Sequence, residues 1–155
     1  MIVLIDSGVL GLLANPNKFG EAKECEEWLY LLLTRGCRVT TSIICEYEVR
    51  RNLILESMRN SGVNSVQSLR ELEGIIEFLP LENKVMHAAA KIWAKARKLG
   101  NHTASNTSID ADVILSAQWQ SIQHENPGRY VVIATYNTKH LERFSEAYSW
   151  RKIKL

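Results

Sequence analysis

The first ten residues, MIVLIDSGVL, constrain the fold of this chain more than any other stretch. An apolar run from Ile2 to Ile5 stops at Asp6, which is followed by Ser7 and Gly8. Such a run, ending in small and polar residues, is typical of a buried strand that gives way to a turn. Asp6 is therefore predicted at the carboxyl end of the first strand, the edge at which open α/β sheets bind ligands. A carboxylate there can bind a metal ion, or it can simply cap the next helix.

Strand-like and helix-like stretches alternate along the rest of the chain. Further strands are predicted at 37–41, 75–79, 130–134 and 148–153. Helices are predicted at 9–14, 21–35, 43–57, from a cap at Asn64 or Ser65 to Glu73, and at 83–99, 109–122 and 138–145. Most of the strands are continuously apolar and are separated by helices, so the pattern predicts an α/β fold, a three-layer α/β/α sandwich with a mostly parallel central sheet.

The composition is that of one soluble domain. With 155 residues, of which 46% are hydrophobic and 23% charged, the chain can bury one core, and residues 1–155 are predicted to be a single domain. The net charge of +2 neither requires nor excludes nucleic acid. Cys25, Cys37 and Cys45 show no metal-ligand spacing, which favours a reducing compartment over a disulfide framework or structural zinc. Without a signal peptide or an apolar stretch of about 18 residues, the chain is expected in the cytoplasm and not at a membrane.

Acidic residues on separate elements could converge at the carboxyl edge of this sheet. Besides Asp6, the candidates are Glu46 and Glu48 on one helix and Asp110 and Asp112 at the start of another. A hard cation such as Mg²⁺ or Mn²⁺ prefers oxygen ligands and relieves the repulsion between carboxylates. Glu46 and Glu48 are about 200° apart around a helix, so only one can face the site and the other is expected in solvent. Alternatively, the helical Glu residues are ordinary surface acids, and the two Asp residues only complement a helix dipole.

Four sequence blocks, in this order, resemble the PIN domain, the nuclease fold of the VapC-type toxins. They are LIDSGVL, TSIICEYEVRRN, DADVILSAQ and VIATYNTKHLERF, which are spread over residues 2–144. The resemblance implies a PIN-like fold and a metal-dependent endoribonuclease that uses Mg²⁺ or Mn²⁺. It further implies that the protein is the toxin of a VapBC-type pair, with RNA as substrate, a small antitoxin as partner and a second copy of the chain in a homodimer.

The resemblance also assigns roles to individual residues. It places the catalytic, metal-binding carboxylates at Asp6, Glu48 and Asp112. It gives accessory positions to Ser7, Asp110, Thr135 and Asn137. Many members of the family carry Asp where this chain has Asn137, and an amide adds no negative charge, which weighs against a second firmly held metal.

Basic residues near the same edge are candidates for holding the RNA backbone. They are Arg50, Arg51, Lys139, His140 and Arg143. Each can equally be an ordinary surface charge. The alternative function is a PIN-like binding or scaffold module with weak catalysis, in which Asn137 marks a lowered metal affinity. The intact carboxylates favour the nuclease.

Overall fold

The structure, a computed structural model, describes residues 1–59, 66–100 and 110–154. The strands are β1 (Ile2–Ile5), β2 (Arg38–Ser42), β3 (Glu77–Leu79), β4 (Val131–Thr135) and β5 (Ala147–Ser149). The helices are α1 (Ser7–Leu13), α2 (Glu21–Thr34), α3 (Ile43–Arg59), α4 (Val66–Glu73), α5 (Asn83–Lys98), α6 (Ala111–Glu125) and α7 (Thr138–Leu141), and a 3₁₀ turn covers Trp150–Lys152. The predicted caps Asn64 and Ser65, and most of the loop before α6, lie outside the described residues.

The five strands form one parallel sheet in the order β3-β2-β1-β4-β5. The chain runs from β1 to β2 on one side and later returns to β4 on the other side of β1. This reversal creates a switch point between β1 and β4, where open α/β sheets place their ligands. Ile5 is in register with Ala134, so the residues that follow, Asp6 and Thr135, are neighbours at the carboxyl edge.

The middle of the sheet is covered on both faces. All four residues of β1 are completely buried, as are the last residues of β4. Successive side chains of a strand point to opposite faces, so burial of the whole strand requires helices on each side. The predicted α/β fold with its parallel central sheet is therefore confirmed.

The structure differs from the sequence predictions mainly at the ends of elements. β3 begins at Glu77 and not at residue 75, because the backbone N–H groups of Ile75 and Ile76 each donate to the Leu72 carbonyl at 2.9 Å and continue the turn that ends α4. The predicted strand at 148–153 is only the three-residue β5, followed by the 3₁₀ turn. Leu99, the last residue of the helix predicted at 83–99, is the C-cap residue of α5 and is exposed.

Cys25, Cys37 and Cys45 are each buried as free thiols. Trp28 on α2 packs against Trp150, with 5.7 Å between ring centroids, and its Nε1 donates to the Ile153 carbonyl at 3.1 Å. These contacts hold the C-terminal segment on α2. Among the helices of the described ranges, none is both long and apolar enough to cross a membrane.

Candidate active site

Asp6 lies at the switch point and is held by two elements. Its Oδ1 accepts a hydrogen bond from the Val9 backbone N–H at 2.8 Å, which caps α1. Its Oδ2 accepts from the Thr135 hydroxyl at the end of β4 and from the Tyr136 backbone N–H at 3.3 Å. The capping role considered from the sequence is therefore present, but β4 also fixes this carboxylate. Only 8% of Asp6 is exposed, so its orientation is well defined.

The environment of Asp6 disfavours its negative charge. Burial raises the pKa of this carboxyl group, and the nearby charge of Asp112 raises it further. The hydrogen bonds from Thr135, Val9 and Tyr136 lower the pKa, but the net shift is upward. A carboxylate that keeps a raised pKa despite three donors lacks a compensating positive charge, and a bound cation would supply it.

Asp112 brings a second carboxylate to the same place from α6. Asp110 caps that helix, since its Oδ1 accepts from the Val113 N–H at 3.2 Å, so Asp112 is not needed as the cap. Oδ2 of Asp112 lies 3.2 Å from Nδ1 of His140 on α7. Burial raises the pKa of Asp112, while His140 lowers it and Asp110 raises it, with a net upward shift.

The charge of the third predicted carboxylate, Glu48, acts on the same buried thiol as the charges of Asp6 and Asp112. Burial raises the pKa of the Cys45 thiol well above its ordinary value, and the charges of Asp6, Glu48 and Asp112 raise it further. Residues from β1, α3 and α6 therefore act on one buried atom. Within the described residues, however, no three His, Cys, Asp or Glu side chains form a ready-made metal site.

Glu46, the neighbour of Glu48 on α3, does not lie in solvent. It is only 7% exposed and forms an ion pair with Arg50 one turn later. Arg50 in turn lies 3.2 Å from the carboxylate of Glu73 on α4. The expectation that one of the two α3 acids is solvated is wrong, because Arg50 pairs with the buried Glu46 and links α3 to α4. This pairing favours a structural role for Arg50 over the predicted contact with RNA.

Glu48 instead lines a cleft of about 440 Å³ between α1 and α3. The cleft is lined by Ser7, Gly8, Gly11, Glu48, Val49, Arg51, Asn52 and Leu53. Arg51 is exposed, and its guanidinium lies 3.8 Å from the Glu48 carboxylate. Three predicted site residues, Ser7, Glu48 and Arg51, thus share one groove. A larger cleft of about 620 Å³, between α2 and the C-terminal segment, is lined by none of them.

The segment after β4 carries the remaining candidates. Thr135 is fully buried, and besides donating to Asp6 its hydroxyl accepts from the Asn137 N–H at 2.9 Å. Asn137 is exposed and touches the site through this backbone group. Lys139 is exposed on α7 beside His140. Arg143 lies in a separate cleft against α5, so it is not brought to the carboxylates.

No family model and no curated protein matches this sequence. Solved structures do match. VapBC2 from Rickettsia felis, bound to a DNA fragment from their promoter, aligns over 97% of this chain and 99% of the other, with a TM-score of 0.71 and 15% identity. DNA-bound VapBC from Salmonella typhimurium aligns over 97% and 98% (TM-score 0.65, 17% identity), and FitAcB from Neisseria gonorrhoeae over 97% and 99% (TM-score 0.57, 20% identity).

This chain has the PIN-like fold of those toxin–antitoxin proteins. The resemblance read from the four sequence blocks is thereby confirmed at the level of the fold. In this PIN-like fold the blocks supply β1 with α1, α3, α6, and β4 with α7. The blocks also contain Asp6, Glu48 and Asp112.

The donor set at the switch point suits a hard divalent cation. Magnesium in proteins is commonly held by one or two carboxylates, with water or phosphate completing the shell. Asp6 and Asp112 offer two carboxylates that interact with each other, and both have raised pKa values that a cation would lower. Thr135 fixes Asp6, and His140 fixes Asp112.

Two features of this site were missed from the sequence. The contact of His140 with Asp112 joins residues 28 positions apart, and His140 was assigned only to RNA binding. Tyr136, whose N–H reaches Asp6, was read only as part of the segment after the strand. An aromatic residue directly after a strand that ends at the ligand-binding edge was the available signal for Tyr136.

Proposed function

We propose that this protein is a Mg²⁺- or Mn²⁺-dependent endoribonuclease and the toxin of a VapBC-type pair. The observation that carries the proposal is the proximity of Asp6, which is buried at the switch point of a PIN-like fold, to Asp112, a half-buried acid more than a hundred residues away whose charge acts on it. Holding the buried Asp6 near the charge of Asp112, which raises the Asp6 pKa, costs free energy unless a cation is bound. Hydrolysis of phosphodiester bonds is a reaction that such a cation site would serve.

The residues have distinct tasks in this proposal. The cation, when bound, supplies Lewis acidity toward a phosphate oxygen and lowers the pKa of a bound water. Asp6 and Asp112 hold it, while Thr135 keeps the Asp6 carboxylate aimed at the edge of the sheet. Glu48 lies in the adjoining groove and accepts the proton of the water that attacks phosphorus. Arg51 stands beside Glu48 as a cation for the RNA backbone, which enters through the groove between α1 and α3.

Cleavage of a pool of structured and unstructured RNAs by the pure protein tests the proposal. Cleavage is expected to require Mg²⁺ or Mn²⁺ and to be lost in Asp6→Asn, Glu48→Gln and Asp112→Asn. Glu142→Gln is the matched control, because Glu142 is an exposed carboxylate just after α7. Equal cleavage by the wild type and all variants would point to a contaminating nuclease and overturn the assignment.

The same proposal includes protein partners. We infer a small antitoxin, a homodimer and a cytoplasmic location. The antitoxin is supported by the fold shared with VapBC proteins, and the apolar side chains that α3 leaves exposed offer a surface for either partner. They are Ile43, Tyr47, Ile54, Leu55 and Met58. Light scattering of the pure chain tests the dimer, and co-purification with the product of an adjacent small gene tests the antitoxin.

A second function, a PIN-like binding module with weak catalysis, is favoured by two observations. Asn137 provides no fourth negative charge, and the described residues contain no preassembled group of three metal-binding side chains. This module would bind RNA or a protein without cutting. Binding of single-stranded RNA by a protein that is inert with both cations would support it over the nuclease.

A further inference from the structure

The aromatic ring of Tyr136 lies at the rim of the carboxylate site. The backbone N–H of this residue donates to Asp6 Oδ2 at 3.3 Å, so its side chain begins directly beside the buried acid. The residue is nevertheless 47% exposed. A large apolar ring that stays open to solvent next to a buried carboxylate offers a contact surface to whatever occupies the site.

The far end of the ring is held in place by an ionic cluster. The Tyr136 hydroxyl lies beside Glu21, at the start of α2, and beside Arg151. Arg151 forms ion pairs with Glu21 and, at 2.9 Å, with Glu24. These neighbours restrict the movement of the ring, which lowers the cost of packing a ligand on it.

Gly8 lets the side chain of Tyr136 lie against α1. A Cβ atom at Gly8 would lie 3.3 Å from Cβ of Tyr136, tighter than an ordinary contact, and 3.4 Å from Oδ1 of Asp6. The backbone of Gly8 does not require glycine, since its φ is not among the positive values of this chain. The absence of a side chain therefore has a steric purpose here, and Gly8 also lines the groove that contains Glu48.

We propose that Tyr136 is a stacking platform for one unpaired nucleobase of the RNA substrate, next to the phosphate at the carboxylates, with Gly8 letting the tyrosine lie beside Asp6. This inference rests on the proposed nuclease function and names the substrate it selects. Stacking on an aromatic side chain tolerates any base but requires that the base be splayed out of a duplex. The site therefore favours RNA in which the base beside the cleaved bond lies in a loop, a bulge or a single strand.

Binding measured without cleavage tests the platform. The probe is a short single-stranded RNA containing 2-aminopurine, mixed with the protein in EDTA, with the same strand annealed to its complement for comparison. The wild type and Tyr136→Phe should quench the fluorescence of the single strand, because both have the ring. Tyr136→Leu should bind it about tenfold more weakly, the loss typical of a stacking contact. Tyr148→Leu, at another exposed tyrosine, on β5, should bind like the wild type.

Gly8→Leu gives a second test that leaves the ring in place. A side chain there displaces Tyr136 from its place beside Asp6, so binding of the single strand should fall as in Tyr136→Leu. Thermal unfolding reports whether either variant is folded. Wild-type affinity in folded Tyr136→Leu or folded Gly8→Leu would overturn the platform, as would equal binding of the duplex. Cleavage that persists unchanged in Tyr136→Leu refutes only the platform. Tyr136-dependent binding by a protein that never cleaves refutes only the nuclease.

Discussion

Removal of the Thr135 hydroxyl should lower stability, because this group donates a hydrogen bond to the buried Asp6 carboxylate. Thr135→Val retains the shape of the side chain but removes the donor to Asp6 Oδ2 and the acceptor of the Asn137 N–H. A hydrogen bond to a charged group contributes about 1.5–3 kcal/mol, and burial makes an unpaired partner costly. We expect Thr135→Val to lower the free energy of unfolding by about 2–3 kcal/mol. In a chain of 155 residues this corresponds to a fall in Tm of about 5–10 °C.

Thr40→Val is the matched control, two strands away in the same sheet. Thr40 is also fully buried, but within the described part of the chain its hydroxyl has no hydrogen-bond partner. Removing an unsatisfied buried hydroxyl relieves a desolvation cost, so this variant should be as stable as the wild type or up to about 1 kcal/mol more stable. Urea and thermal unfolding of both variants in EDTA provide the measurement. Equal losses of stability in the two variants would show that the hydroxyl does not support the carboxylate.

Three further predictions concern the charges around the site. Asp6 and Asp112 have pKa values in the folded state above their ordinary ones, so the cation-free native state binds more protons than the unfolded chain. Its stability should therefore fall as pH rises from about 4 toward neutrality. Urea unfolding in EDTA should show a smaller fall in Asp6→Asn, and an unchanged dependence of stability on pH would contradict the raised pKa of Asp6. His140→Gln removes a neighbour that lowers the Asp112 pKa, so Asp112 should take up its proton at a higher pH than in the wild type. As the pH falls, the increase in Tm that Mg²⁺ produces should then disappear at a higher pH. Identical profiles of the Tm increase against pH would show that His140 does not act on Asp112. Arg50→Met leaves the buried Glu46 carboxylate unpaired and should cost about 2–3 kcal/mol of stability, with little change in RNA affinity. Adding Glu46→Gln to the same chain should largely restore the stability. A loss of RNA affinity without a loss of stability would show that Arg50 contacts RNA.

The sequence was most informative where local chemistry determines structure. The apolar run before Asp6, and the acids before the apolar residues of α6, are short-range patterns, and the structure places Asp6 at the end of β1 and Asp112 in the first turn of α6. The roles of Glu48 and Thr135 came from the family resemblance. Those roles stay predictions; the structure shows that Glu48 shares a groove with Ser7 and that Thr135 donates a hydrogen bond to Asp6.

The rest depends on contacts between distant parts of the chain. The burial of Glu46 requires Arg50 to reach Glu73 on another helix, and helical spacing alone gives no sign of that third residue. The apolar run at 75–79 gives no sign that the N–H groups of Ile75 and Ile76 donate to the Leu72 carbonyl at the end of α4. Likewise, nothing local in Gly8 indicates that Tyr136 will lie against it.

The most direct test of the central claim is the single-turnover cleavage of a labelled loop-containing RNA against Mg²⁺ concentration, for the wild type and Asp112→Asn. The cleavage rate of the wild type should rise with Mg²⁺ concentration to saturation. Asp112→Asn should be at least a hundredfold slower or need far more Mg²⁺, because one of the two carboxylates that hold the cation is lost. A rate that does not depend on Mg²⁺, or that is equal in the two proteins, would contradict the claim that Asp6 and Asp112 form a metal-dependent active site.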